Sequence, residues 1–371
     1  MMIYRRRVLA CVLPVVPLTM LVGCQTPQRT AREEADQRWR AARAQVKFQL
    51  AADQLAVGNL SGAAGELAEA ERLVPNSPQH VPLQARIWLA DGKVAQAGRL
   101  LERARTESTP QAEVEYLLGI VRQQQQRWDE ALDAFQRAAD LDDQQVAYVV
   151  AAAQTLLQLG RPAETLDYLL GASARFGWTN AYLAALAECH EQLGDWSAAA
   201  SAWQRVAYAD DASSALRRRL ADALFRARRH LEAALTIEDL LEAESGEAMT
   251  EHRLMLAECY LSLGRHADAS GQARTILNEQ GGNVRALRLL ARAQGAQTDY
   301  PQALRTARRA LAIEPNDIRT LELVAALAWR VKNQDLAAVT AQKLLERDPT
   351  NPVGARIRDQ LRYRQAPGHR R

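Results

Sequence analysis

The sequence predicts an all-α chain, a solenoid of about nine helix-turn-helix units of 34 residues closed by a capping helix. Composition points that way first. The 371 residues are 48% hydrophobic but only 5% aromatic, with 13 Pro and 19 Gly, so helix-forming material is interrupted by sparse punctuation. Second, Gly58, Leu60 and Ala63 recur as Gly92, Val94 and Ala97, an interval of 34 that is characteristic of stacked helical hairpins. Third, small residues recur in step with that pattern along most of the chain. Charge narrows the function classes. Lys and Arg number 47 against 44 Asp and Glu, and three of the cations, Arg5, Arg6 and Arg7, fall in a leader without acidic residues. The remaining chain is balanced, unlike a nucleic-acid binder with its basic excess, and 25% charged residues exclude wholesale disorder.

The chain begins with Arg5 to Arg7 ahead of an apolar run from Val8 to Val22, broken by Pro14 and Pro17. The run is short for a membrane span of about 20 residues but suits a secretory signal. It ends in Leu21-Val22-Gly23-Cys24, which resembles the lipobox of bacterial lipoproteins. That resemblance implies that the Cys24 thiol takes up a diacylglycerol, that residues 1–23 are cleaved as a signal peptide, and that the new N-terminus is acylated. Two or more chains anchor stably where one is marginal, at about 0.8 kcal/mol per buried methylene. Gln25 follows instead of the Asp that retains enterobacterial lipoproteins in the inner membrane, which implies the periplasmic face of the outer membrane. Residues 24–43 then read as the anchor Cys, a flexible tether from Gln25 to Thr30 and a lead-in helix over 31–43. At about 3.5 Å per residue the tether reaches roughly 20 Å.

The repeats occupy 44–351. After Gly92 the series continues through Trp128 and Ala131, Gly160 and Thr165, Gly194 and Ala199, then His230 and Ala233. A two-residue slip falls at about Ala248 and Met249. Gly264 and Ala269, Tyr300 and Ala303, and finally Ala337 complete nine registers. Twelve residues before each register stands a small residue: Ala51, Ala85, Gly119, Ala153, Ala187, Ala221, Ala257, Ala291, Ala325. Seven residues after stand Ala70, Ala104, Ala138, Ala172, Val206, Leu240, Ile276, Ala310 and Leu344. Each unit reads as two amphipathic helices joined by a tight turn. Small residues sit where helices approach closely, and Leu67, Leu101, Phe135, Leu169, Trp203 and Ile237 plug the gap to the next unit. This pattern resembles the tetratricopeptide repeat, best in 112–145 with Gly119, Trp128, Ala131, Phe135 and Ala138. It departs from the family where Thr165 replaces an Ala, where Ala307 and Ala341 replace bulky residues, and where the first-helix Trp slot is mostly unfilled. The resemblance implies a right-handed superhelix. Residues 352–371 form a polar-faced capping helix to about 364 and a basic tail.

No catalytic constellation accompanies the repeats: HExxH, CxxC, GxSxG and a Gly-rich phosphate loop are missing from the sequence. The expectation is a protein without enzymatic activity, cofactor or metal. His190, His230 and His266 fall on interior slots. Cys189 and Cys259 occupy equivalent places in repeats five and seven, too far apart for a disulfide, and read as buried inert thiols. Glu188 and Glu191 share a helix face and read as a solvated groove wall.

Function must then come from surface. The family resemblance implies that first helices line a concave groove, and projection of its inward positions gives Tyr116 and Ile120, then Phe225, then a basic group of Arg285, Arg288 and Arg292 with Arg319, Trp329 and Arg330 opposite. The first three arginines are spaced 3 and 4 apart, hence on one helical stripe. Arg forks bind carboxylates bidentately, so an acidic or C-terminal-carboxylate segment of a protein partner is the expected ligand. The Lys/Asn clamp by which some family members hold chaperone tails is missing at the matching positions. The expected function is a lipid-anchored scaffold binding protein or peptide partners at the bacterial cell envelope, with no nucleic acid involved. The alternative is a pilotin-type assembly factor for an outer-membrane secretin of a type IV pilus or secretion system. A metal-assisted hydrolase with ligands from several repeats and a purely structural spacer are the competing classes.

Overall fold

A computed structural model describes residues 27–107, 110–207, 213–243 and 248–365. The leader, Cys24 and the tail beyond 365 lie outside the described residues. Among those described there are nineteen helices and no strand. In chain order they are α1 (Pro27–Ala56), α2 (Leu60–Leu73), α3 (His80–Ala90), α4 (Val94–Glu107), α5 (Ala112–Gln124), α6 (Trp128–Leu141), α7 (Val146–Gln158), α8 (Pro162–Phe176), α9 (Asn180–Leu193) and α10 (Trp196–Ala207). The rest are α11 (Ser214–Arg226), α12 (His230–Ala243), α13 (Ala248–Ser262), α14 (His266–Glu279), α15 (Val284–Ala296), α16 (Tyr300–Ile313), α17 (Ile318–Arg330), α18 (Gln334–Arg347) and α19 (Pro352–Gln365). The chain falls into two compact units, Met1–Val121 and Arg122–Arg371. In the first, α1 packs on α2, α2 on α3 and α3 on α4, with α1 also touching α3. In the second, every helix from α6 to α19 packs on its chain neighbours, and first helices of successive pairs meet, as α13 with α15, α15 with α17 and α17 with α19. This is the tandem helical-hairpin architecture the period predicts.

The turns keep the register. One residue per hairpin has positive φ: Gly58, Gly92, Gln126, Gly160, Gly194, Arg228, Gly264, Thr298 and Lys332. Successive members are 34 apart except across the slip, where Arg228 and Gly264 are 36 apart. The two extra residues lengthen the front of α13, which begins at Ala248. A left-handed residue reverses the chain within a few positions, and glycine adopts it without strain. Packing follows the periodic slots. Leu67, Leu101, Phe135, Leu169 and Ile237 are fully buried and Trp203 nearly so. Ala51, Ala85, Ala153, Ala187, Ala221, Ala257, Ala291 and Ala325 are also fully buried, where a larger side chain would force helices apart. Thr165 fits its alanine slot because its hydroxyl donates to the Arg161 carbonyl at 2.9 Å. Ala307 and Ala341 are buried despite their size.

The N-terminal region differs from expectation. No break separates a lead-in helix from the first repeat: α1 runs unbroken from Pro27 to Ala56. The reason lies in the sequence, which holds neither Pro nor Gly between Gln28 and Val57. Pro27 occupies the first helical turn, where its missing N–H is harmless. The tether expected over Gln25 to Thr30 is therefore helical from its third residue. At the other end α19 packs on α17 and α18 and buries Ile357. Gly354 allows that approach, since a Cβ there would lie 2.9 Å from Leu345 Cγ. No described helix is long and apolar enough to cross a membrane.

Candidate functional site

The first helices α13, α15, α17 and α19 stand side by side in the second unit, so residues 34 apart occupy equivalent slots. Slot two of each holds Glu251, Arg285, Arg319 and Val353 in turn. Slot five holds Leu254, Arg288, Glu322 and Arg356, and slot nine Glu258, Arg292, Ala326 and Gln360. Most of these side chains line a concavity of about 510 Å³ that contains Glu258, Arg285, Arg288, Arg292, Arg319 and Glu322 over an apolar floor of Leu289, Leu323 and Val353. A second, of about 530 Å³, shares Ala326 and Val353 with it and is lined by Trp329, Arg330, Lys332, Arg356 and Gln360. The predicted basic group is thus divided. Arg285, Arg288, Arg292 and Arg319 come together, while Trp329 and Arg330 line the adjoining concavity.

The arginines are not equivalent. Arg285 is paired with Glu251 at 2.7 Å on an exposed surface. Arg288 is held by Asp317, with both side chains about four-fifths buried. Asp317 is at once the N-cap of α17, accepting from the Thr320 amide at 3.0 Å and the Thr320 hydroxyl at 2.5 Å. Burial alone would raise its pKa, but the Thr320 hydroxyl and the Arg288 guanidinium outweigh that and hold the carboxyl below its usual range. Glu322 is likewise occupied, accepting from Asn351 Nδ2 at 2.5 Å. Arg292, Arg319 and Arg356 are exposed and carry no hydrogen bond or ion pair among the described residues. Arg330 lies over the Tyr300 ring at 5.9 Å. Among the described residues the exposed cations of the two concavities that hold no carboxylate therefore include Arg292, Arg319 and Arg356, with Lys332 and the ring-stacked Arg330 beside them. Arg356 was missed at the sequence level. Its signal was the same period, carried one unit past residue 351.

The other predicted groove residues lie elsewhere. Tyr116 and Ile120 are half-buried on α5, and Phe225 on α11 meets the His230 ring edge-on with centroids 6.1 Å apart. None of the three lines the two arginine-bearing concavities. Glu188 and Glu191 have structural partners: Glu188 pairs with Arg219 at 2.6 Å and Glu191 accepts from the Trp203 indole at 2.6 Å. Cys189 and Cys259 are free and buried. Burial raises the Cys189 thiol pKa, and burial with the neighbouring Glu258 charge pushes that of Cys259 up to about 12. Among the described residues no three His, Cys, Asp or Glu side chains are grouped to hold a metal.

A sequence profile of the tetratricopeptide repeat matches residues 83–146, 116–180, 150–215 and 218–281, together more than half of the chain. No curated protein matches the sequence. Solved structures similar to this one include YrrB, described as a tetratricopeptide-repeat protein with an unusual peptide-binding site, at 16% identity and TM-score 0.44 over 51% of this chain and 97% of that one. PilW, a widely conserved type IV pilus biogenesis factor, is 14% identical with TM-score 0.45 over 56% of this chain and 96% of its own. PilF of Pseudomonas aeruginosa is 14% identical with TM-score 0.44 over 67% and 96%.

Proposed function

The chain belongs to the tetratricopeptide-repeat family, whose repeats build scaffolds for protein interaction, and on that premise we propose that it is a non-enzymatic adaptor of the bacterial envelope. In this reading it is moored by lipid on Cys24 and holds an acidic segment of a protein partner against α15, α17 and α19. The observation that supports the ligand is the set of uncompensated guanidinium groups, Arg292, Arg319 and Arg356, beside an apolar floor. An extended acidic peptide with interspersed aliphatic residues satisfies both, with carboxylates on the Arg forks and side chains against Leu289, Leu323 and Val353. Arg285 and Arg288 already hold carboxylates of the chain itself and define the rim instead.

Fluorescence anisotropy with a labelled Glu/Leu peptide and its Gln/Leu counterpart tests this. The acidic peptide should bind the wild type, weaken with added salt, and bind Arg292→Glu/Arg319→Glu at least about tenfold more weakly, since two charge-assisted bonds contribute about 1.5–3 kcal/mol each. Equal affinity for the two peptides would refute the acidic ligand. The anchor is tested separately by fractionating cells that express Cys24→Ser, which should lose the membrane association of the wild type; unchanged association would remove the lipid reading.

A further inference from the structure

The first helix presents two faces of opposite character. One is the ordinary repeat face: Ala44, Phe48 and Ala51 are buried, Leu55 is half-buried, and Lys47 is tied to Glu66 and Glu69 of α2, each at 2.6 Å. The other runs along Trp39, Arg43, Val46 and Leu50, spaced 4, 3 and 4, so these residues form one stripe on the far side. It is apolar yet open to solvent, with Trp39 55% exposed, Val46 65% and Leu50 36%. Arg43 stacks over the Trp39 ring at 5.2 Å and Arg32 lies two turns before Trp39 on the same stripe. The carboxylates Glu34 and Asp36 pair with Arg38 at 3.7 Å and with Arg40, respectively. From Ala31 to Arg43 every residue is exposed, so this half of α1 projects as an arm from the first unit.

We infer that this stripe is a membrane-facing surface, and that α1 lies along the bilayer interface with Trp39, Val46 and Leu50 in the headgroup boundary and Arg32 and Arg43 on lipid phosphates. The inference rests on the lipid-anchor reading of Cys24 and fixes what that anchor does to the fold. Only Gln25 and Thr26 separate Cys24 from the start of α1, so the helix begins within about 10 Å of the acylated sulfur. Trp39 is twelve residues further along, about 18 Å at the helical rise. So short a leash holds the start of the arm at the interface, and an exposed Trp flanked by Arg is the chemistry that favours laying the rest of it there. A rigid helix held flat would also fix the repeats at a set height above the lipid, which a flexible tether would not.

The test couples the mature chain, residues 24–371, through the Cys24 thiol to maleimide-bearing phosphatidylglycerol vesicles, so that tethering does not depend on acylation in the cell. The buried Cys189 and Cys259 are not expected to compete for the reagent. Vesicles containing brominated lipid should quench Trp39, read as the emission lost by the wild type and not by Trp39→Phe. The double substitution Val46→Glu/Leu50→Glu, at exposed positions, should abolish that quenching while leaving the far-ultraviolet circular dichroism unchanged. Equal quenching of wild type and Trp39→Phe overturns the proposal. So does a concentration-dependent dimer that Val46→Glu/Leu50→Glu dissolves, because the stripe would then belong to a second copy of the chain. If Cys24→Ser retains membrane association in cells, the anchor reading fails while the vesicle result still stands or falls on its own.

Discussion

Replacing Arg288 and Arg292 separately by Ala should split two arginines that the sequence presents as one stripe. Arg288 and Asp317 form an ion pair about four-fifths buried, and Asp317 keeps its capping bonds to Thr320 when the guanidinium is removed. Deleting one partner of a fully buried pair costs about 3–5 kcal/mol, and a charged hydrogen bond contributes about 1.5–3 kcal/mol. A pair with this residual exposure and a surviving cap should lose about 2 kcal/mol. In a domain of this size that corresponds to a Tm lower by about 4–8 °C. Arg292 is exposed and unpaired among the described residues, so Arg292→Ala should stay within about 0.5 kcal/mol of the wild type. Thermal melts followed by circular dichroism read both. The pH dependence gives the sign. Asp317 has a folded pKa below its unfolded value, so its contribution is complete above the unfolded pKa of about 3.9 and is lost as pH falls through the lower folded value. Arg288→Ala lets the folded pKa rise toward the unfolded value, so the variant has less of this contribution and has lost it by a higher pH than the wild type. The gap between the two should be full at pH 7 and shrink below about pH 4. Equal Tm values for the two variants, or a gap unchanged between pH 7 and pH 3, would refute the division of roles.

Turn backbone provides a second prediction. Thr298 sits at φ +67°, in a region unfavourable for a β-branched residue, so Thr298→Gly should raise stability by about 0.5–1 kcal/mol, strain relief of about 1–2 kcal/mol less the entropy of glycine. Gly194→Ala, at φ +76° with open space around a Cβ, should lower it by a similar amount, and chemical denaturation would show both signs. Phe135→Ala removes a fully buried plug and should cost about 3–5 kcal/mol, lowering the denaturation midpoint without a change in helical content at low denaturant. Cys189 and Cys259 should resist thiol reagents in the folded protein at pH 8 and react after unfolding in guanidinium, because burial raises both pKa values and restricts access.

The fold was legible because periodic packing leaves a periodic trace. Leu67, Leu101, Phe135, Leu169, Trp203 and Ile237 answer the same steric demand one unit after another, and so do the fully buried alanines. Turns are traced less well by residue type, since Gln126, Arg228, Thr298 and Lys332 adopt the conformation that glycine holds in the other five hairpins. There the register is imposed by the packed helices on either side and overrides local preference. The unbroken α1 escaped for the opposite reason. Its arm makes little demand on the repeats, so nothing periodic marks where the lead-in ends, and only the lack of Pro or Gly over 28–57 shows that the helix has no reason to stop.

The site was legible as a face but not as a set of free charges, and the difference follows from how adjacent units are stapled. Asn283, Asp317 and Asn351 are N-caps 34 residues apart, for α15, α17 and α19. Arg288 in slot five of α15 reaches the cap of α17, and Glu322 in slot five of α17 reaches the cap of α19. Both links span 29 residues. In α15 and α17, slot five therefore acts as a clasp to the next unit and not only as groove lining. Slot nine lies a turn further along each first helix, beyond the reach of that cap, which leaves Arg292 uncommitted. Among the described residues no unit follows α19, so its slot-five residue, Arg356, has no cap to hold and remains open beside Trp329. Appending one further consensus hairpin with Asp at its N-cap should draw Arg356 into a third clasp and weaken acidic-peptide binding while raising the stability of α19. Undiminished binding in that extended chain would mean that Arg356 contributes nothing to the ligand.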